Sequence, residues 1–417
     1  MSGQIVPGSM NVLPKLVFML AWAALFAGLT LPTPTPEVAN IATLVLMGVG
    51  LVLLALVPSA RLVLRQPAIV LSAAAGVVLL VALGFTASSP LHIAMIMVLA
   101  PLWLAGPHAG LLTRLGARLT PLVIASFALA GAAAGAAIAA YGALVLQLER
   151  GGYLVNNPIH LGDLSLMLGF VALVGMLDRR RVRFVFLLGP VLALTAVWFT
   201  GSRGPLVAFV PMLVVAATVL AVMTLSRRQA MTAIAGVVLL IAVAGTAMIG
   251  LGLGGRLGGL GEAAMALVRG GPTDGAIGER LFMYQTAWNA FWASPWFGYG
   301  MVDYTISAAP FAPPGPGYPP SGHLHSDLAD FAVIGGVLGL ISYGLLLAAP
   351  LVGALATRGQ NRQAALYLGA TASVGYLSMG LTNAMFGILT QTVVYAVILA
   401  LIAALAQPAP LAQGETA

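Results

Sequence analysis

Twelve runs of about twenty apolar residues, each long enough to cross the hydrocarbon of a bilayer, account for most of this chain. They fall at 12–30, 38–57, 67–87, 89–106, 119–141, 159–177, 184–200, 204–225, 230–251, 328–350, 362–383 and 386–406. A chain inside lipid must satisfy its own backbone hydrogen bonds, and no segment here calls for a strand, so the runs read as helices. With 60% hydrophobic and only 7% charged residues, the 417-residue chain carries too little charge for a soluble domain. The fold class is all-α integral membrane, with about 12 transmembrane helices. Cysteine is absent, which excludes disulfide scaffolds and thiolate metal sites.

Charge alternates from loop to loop. Lys15, Arg61, Arg65, Arg114, Arg118, the run DRRRVR (Asp178 to Arg183), Arg227, Arg228, Arg358 and Arg362 share one side, 13 of the 18 basic residues, against only Asp178 and Glu415. The other side holds five arginines and nine carboxylates, for a net −4 against +11. Basic loops stay in the cytoplasm, so both termini are expected there. The basic excess is thereby a topology signal, and no nucleic-acid partner is needed. The first run follows Lys15, lacks a small-x-small cleavage site and reads as a retained signal anchor.

The layout is then residues 1–158 for spans 1 to 5 and 159–251 for spans 6 to 9 with the turn Ser202–Arg203–Gly204. Residues 252–327 form one long periplasmic loop with short interfacial helices, and 328–417 hold spans 10 to 12 and a cytoplasmic tail.

Two of the five outward arginines stand apart. Arg150, Arg256 and Arg269 lie beside polar or Gly-rich sequence and read as solvated loop residues. Arg203 instead sits in the stretch TGSRGP, where Ser202 is a good N-cap and Pro205 suits a helix's first turn. A cation at a helix N-terminus is disfavoured unless an anion joins it, and a guanidinium grips phosphate through two parallel hydrogen bonds. A bland alternative is an interfacial arginine reaching lipid headgroups. Arg280 opens a second helix, with Tyr284, Trp288 and Trp292 following at four-residue spacing on one face. Trp and Tyr place that helix at the outer interface.

The segment SGHLHSDLADF enters span 10. A neutral imidazole accepts a proton from a hydroxyl, which makes His325 a candidate general base. A helix N-terminus would depress its pKa and the carboxylates Asp327 and Asp330 would raise it. His323, Ser202, Tyr284, Asp327 and Asp330 are candidates for supporting roles. The spacing of His323, His325 and Asp327 is a poor metal motif, so no metal and no cofactor is expected. His92, His108 and His160 stand alone near span ends and read as interfacial. Asp163 is an intramembrane carboxylate and a functional candidate on that ground.

Three features resemble the O-antigen ligase and O-antigen polymerase superfamily of bacterial envelope glycosyltransferases. They are SRG at Ser202 to Gly204, the arginine-led aromatic helix ending in P-x-x-G-x-G (Arg280 to Gly300), and H-S-x9-G-x-x-G from His325 to Gly339. Ligases often carry H-N and a Thr after the last glycine, where this chain has Ser326 and Leu340. The resemblance is strongest over about 160–400. It implies a GT-C-like inner-membrane enzyme that moves a glycan from undecaprenyl diphosphate to a sugar hydroxyl on the periplasmic face. Lipid A–core is the acceptor of a ligase, and a growing glycan chain that of a polymerase. Arg203 and Arg280 would hold the diphosphate and His325 would take the acceptor's proton, in an inverting, metal-independent step. A protein-glycosylating relative ranks below these two. From another class, a twelve-span secondary transporter fits the hydropathy, but would show interrupted helices or mid-membrane charges in both halves.

Overall fold

Proline begins five of the long helices, where its fixed φ suits the first turn and its missing N–H costs nothing. The computed structural model describes residues 12–232, 234–237, 239, 275–314 and 322–407. In chain order the helices are α1 (Val12–Leu29), α2 (Pro36–Leu56), α3 (Pro67–Thr86), α4 (Pro90–Arg118), α5 (Pro121–Leu144), α6 (Pro158–Leu177), α7 (Arg181–Thr200) and α8 (Arg203–Thr224). After the interval come α9 (Gly275–Ala293), the short α10 (Tyr304–Ala308), α11 (Asp327–Ala356), α12 (Arg362–Gly380) and α13 (Leu389–Leu405). All regular structure among the described residues is helical, and the fold is that of an all-α integral membrane protein.

Eleven of the twelve expected runs are helices; the other, 230–251, lies largely outside the described residues, as do Arg256, Arg269 and the Gly-rich run. Eight helices, α2 to α8 and α11, are long and apolar enough to span a membrane on length and composition. The 17-residue α13 is shorter, yet buried from Thr390 to Leu405. A helix apolar on every side belongs at the centre of a bundle, and α13 packs there against α4 and α12. Around it, α3 lies along α11, α2 along α4, and α5, α6 and α7 pack on one another.

One expected span is not continuous. α11 breaks at Gly336, whose φ of 59° and ψ of −140° are closed to other residues. The break frees two carbonyls, and the P-x-x-G-x-G segment fills the gap. Tyr299 N–H donates to Val333 O at 2.9 Å and Gly300 N–H to Ile334 O at 3.0 Å, while Val337 N–H donates to Pro295 O at 2.7 Å. A Cβ on Gly336 would lie 2.5 Å from Pro295 O. Two of the motifs read separately in the sequence are thus two halves of one backbone joint. The joint ties the end of α9 to α11 just below the histidines.

Candidate functional site

At one end of the bundle meet the start of α6, the α7–α8 turn, α9, the segment entering α11 and the residues after α12. α7 ends at Gly201, which takes the left-handed conformation (φ 61°, ψ 26°) that glycine supplies most cheaply at a helix C-terminus. Ser202 is extended and α8 begins at Arg203, as the sequence suggested. The capping expectation fails in one respect, because the Ser202 side chain caps no backbone N–H. It accepts instead from Arg150 Nη2 at 2.8 Å, while Arg150 Nε donates to Thr200 O at 2.9 Å. Arg150 is therefore not a solvated loop residue. Its charge meets the carbonyl end of α7, where the helix dipole favours a cation, and it fixes the turn that presents Arg203.

The other face of that turn packs on residues 381–383. A Cβ on Gly204 would meet Thr382 Oγ1 at 2.7 Å. The same stretch reaches α9, since the Tyr284 hydroxyl lies 3.1 Å from Leu381 O and 3.1 Å from His325 O. One phenolic proton serves both carbonyls. It reaches α6 as well, through Asn383 Nδ2 donating to Asp163 Oδ2 at 2.8 Å. Both residues of that pair are buried, and Asp163 Oδ1 and Asn383 Oδ1 have no hydrogen-bond partner among the described residues. Buried polar atoms are rarely left unmatched, and those that are often mark function. On α9, Trp288 and Trp292 are each 60% exposed and stack edge to face, as an interfacial helix requires.

His325 sits in a left-handed backbone conformation (φ 55°), unusual for a non-glycine residue. Its N–H donates to His323 Nδ1 at 3.2 Å, and the two rings meet edge to face with centroids 4.3 Å apart. As an acceptor, His323 Nδ1 must be unprotonated. Burial and then the positive charge of Arg280 lower the His323 pKa, which agrees with a neutral ring. Burial pushes His325 down to about 4, helped by the charges of His323, Arg280 and His160. Its Nδ1 is buried with no hydrogen-bond partner among the described residues. Neither carboxylate answers it. Asp330 Oδ1 accepts from Leu324 N–H at 2.7 Å and from Tyr304 at 2.8 Å, closing the loop that carries both histidines. Asp327 Oδ1 accepts from the N–H groups of Met385 and Phe386 at 2.8 and 3.1 Å. The balance left open by the sequence falls on the side of a neutral imidazole.

Arg280 is half-buried one helical turn before Tyr284, and its charge acts on His323, His325 and Asp163. His160, in the first turn of α6, acts on both histidines and so belongs to this cluster, against the interfacial reading. His108 also departs from that reading, being fully buried within α4. Among the described residues no group of three or more His, Asp or Glu is arranged to hold a metal ion. Sequence reasoning missed Arg150, His160 and Asn383. Only Asp163, three residues after His160 on the same helix, could have drawn attention to His160.

Residues 188–344 match the family model described as O-antigen ligase. The matched segment runs from within α7 through the arginine turn, α9, the histidine loop and the break in α11. The match bears out the resemblance to the O-antigen ligase and polymerase superfamily and supports a membrane glycosyltransferase of that general kind. A comparison with curated proteins gave no match.

Proposed function

We propose that this protein transfers a glycan from undecaprenyl diphosphate to a sugar hydroxyl of lipid A–core at the periplasmic face of the inner membrane. The observation that carries the reading is that the turn bearing Arg203 and the helix bearing Arg280 both meet residues 381–383 at one end of the bundle, the latter through Tyr284, which also holds the loop of a neutral His325. Both termini lie in the cytoplasm, which puts that end outside.

The donor's diphosphate lies between the start of α8 and Arg280. The amide groups of α8's first turn, which Ser202 does not cap, point at it. The acceptor hydroxyl attacks the anomeric carbon, the C–O bond to the diphosphate breaks, and the bonding pair leaves with undecaprenyl diphosphate. The configuration inverts. Charge grows on the leaving phosphate oxygens, where two preplaced guanidiniums are worth most. His325 accepts the hydroxyl proton, a contribution of about 10²–10⁴-fold. No divalent ion is required by this scheme. Ser202 and Tyr284 hold the turn and the loop, and Asp330 closes the loop from below.

Polymerase chemistry is the same with a glycan end as acceptor, and Ser326 and Leu340, where ligases often have Asn and Thr, favour that second reading. Reconstitution of the full chain with a purified lipid-diphosphate glycan and each acceptor in turn decides between them. No transfer to either acceptor, with donor bound, removes the glycosyltransferase reading.

A further inference from the structure

At the opposite end of the bundle the chain encloses a second cleft. α5 is 24 residues long, about 36 Å, and separates the loop carrying Arg150 from the turn at Arg118. Here α1, the end of α2 and the end of α4 surround a space of about 760 Å³, within the roughly 300–1,000 Å³ of ligand sites. Its lining is apolar except for three cations, Lys15, Arg114 and Arg118.

These cations are not used as their neighbours are. Arg61 donates to Leu54 O and Ala55 O at 2.8 Å each, closing the end of α2. Arg180 lies 4.0 Å from Asp178, the one salt bridge found among the described residues. Lys15, Arg114 and Arg118 meet no carboxylate of the described residues within that distance. Arg118 lies over the Phe18 ring, 4.7 Å from its centroid, and Arg114 Nε is buried without a hydrogen-bond partner among those residues. Arg114 and Arg118 flank Gly116, whose φ of 53° and ψ of −130° break the helix between them, and both still line the cleft. Three cations sharing an apolar cleft call for an anion.

The walls say which kind. Phe18, Met19 and Leu53 continue the cleft along α1 and α2, and Met19 is 67% exposed on the outer surface of the bundle. A free phosphate would leave that wall unused. A zwitterionic headgroup would bring a cation among three others. We propose that the cleft binds an anionic phospholipid, with its phosphate between Lys15, Arg114 and Arg118 and an acyl chain along Phe18, Met19 and Leu53. Basic clefts between helices at a membrane surface are suited to such lipids. This site is independent of the glycan-transfer reading.

The test uses the full chain in detergent, titrated with phosphatidylglycerol, phosphatidylethanolamine or inorganic phosphate, with bound lipid counted by native mass spectrometry. The expected loss of phosphatidylglycerol affinity is about fivefold per cation removed, so roughly a hundredfold for K15Q/R114Q/R118Q. K15Q/R118Q changes two exposed side chains only, so its folding is not at risk, and it should lose about 25-fold. Phosphatidylethanolamine binding should not change, and R358Q/R362Q, outside the cleft, should bind like the parent. Phosphatidylglycerol binding by K15Q/R118Q within twofold of the parent overturns the site. So does an equal loss in R358Q/R362Q, or competition by inorganic phosphate at equal phosphate concentration.

Discussion

Replacing Gly336 by alanine should disrupt the joint between α9 and α11. At φ 59° and ψ −140° any side chain is strained, at a cost of about 1–3 kcal/mol. The added Cβ would stand 2.5 Å from Pro295 O and 2.7 Å from the Trp296 carbonyl carbon. Both neighbours are backbone, so relief requires the 295–300 segment to move away. That movement takes with it the bonds from Tyr299 to Val333, Gly300 to Ile334 and Val337 to Pro295, each worth about 1 kcal/mol net. Losing one to three of them brings the total to about 2–6 kcal/mol. Gly344 gives the control, since it lies in the same helix and a Cβ added there would meet nothing within 4 Å. There alanine should be neutral or stabilise by up to about 1 kcal/mol, the ordinary helix preference. The assay is thermal unfolding of the purified protein in detergent, read as the apparent melting temperature of G336A, G344A and the parent. The expected order is G336A lowest and G344A at or above the parent. G336A should also lose transfer activity at temperatures where it remains folded, because the joint supports the segment that carries His325. Melting of G336A and G344A at the same temperature would refute the joint as a structural constraint.

The remaining expectations concern the candidate site. Arg203→Lys should lose most transfer activity although charge is kept, because an ammonium cannot make the two parallel bonds of a guanidinium to phosphate; Arg280→Lys should behave alike but more mildly. Near-parental turnover by both lysine variants, measured with the lipid-diphosphate donor, would leave these side chains as lipid anchors only. His325→Ala should cut turnover by about 10²–10⁴-fold with donor binding nearly intact, and His323→Ala should cost less. With its pKa pushed down to about 4, His325 is neutral at higher pH and loses its acceptor function as pH falls through that value. The rate should therefore stay flat from about pH 7.5 to about 5.5, where an unperturbed histidine near 6.5 would already have been largely protonated. A fall centred near about 6.5 that vanishes in His325→Ala would contradict the buried neutral ring. Single cysteines placed at Arg227 and Gly315 of this Cys-free chain should be respectively protected from and labelled by an impermeant thiol reagent in cells with a permeabilised outer membrane. The reverse pattern would place the site on the wrong side for a periplasmic acceptor.

What the sequence made legible was periodic or local. A twenty-residue apolar run announces a helix wherever it lies, and proline marks its start, so the ends of α2, α3, α5 and α6 follow the sequence within a few residues. The turn at Gly201 to Arg203 was equally readable, because its glycine, serine and proline each act within one helical turn. Contacts across long intervals were not. Arg150 bonds to Thr200 and Ser202 some fifty residues away, and Asn383 to Asp163 across 220. Nothing in the residues around Arg150 distinguishes it from an arginine in water, and Asn383 carries no charge to mark it. The break in α11 shows the same limit from the other side. The three glycines of GGVLG look like ordinary close-packing residues of a membrane helix, and only the backbone of 295–300 explains why one of them must have a positive φ. The histidine loop combines both cases. Its residues were singled out by type and order, but whether His325 would be charged depended on what surrounds it. Asp327 and Asp330, its neighbours in sequence, each turn one oxygen to backbone N–H groups, while burial first, and then the charges of His323, Arg280 and His160, hold its pKa down. The sequence left that balance open because its largest contribution, burial, comes from the packing of α6 and α9 against the loop, which no local pattern records.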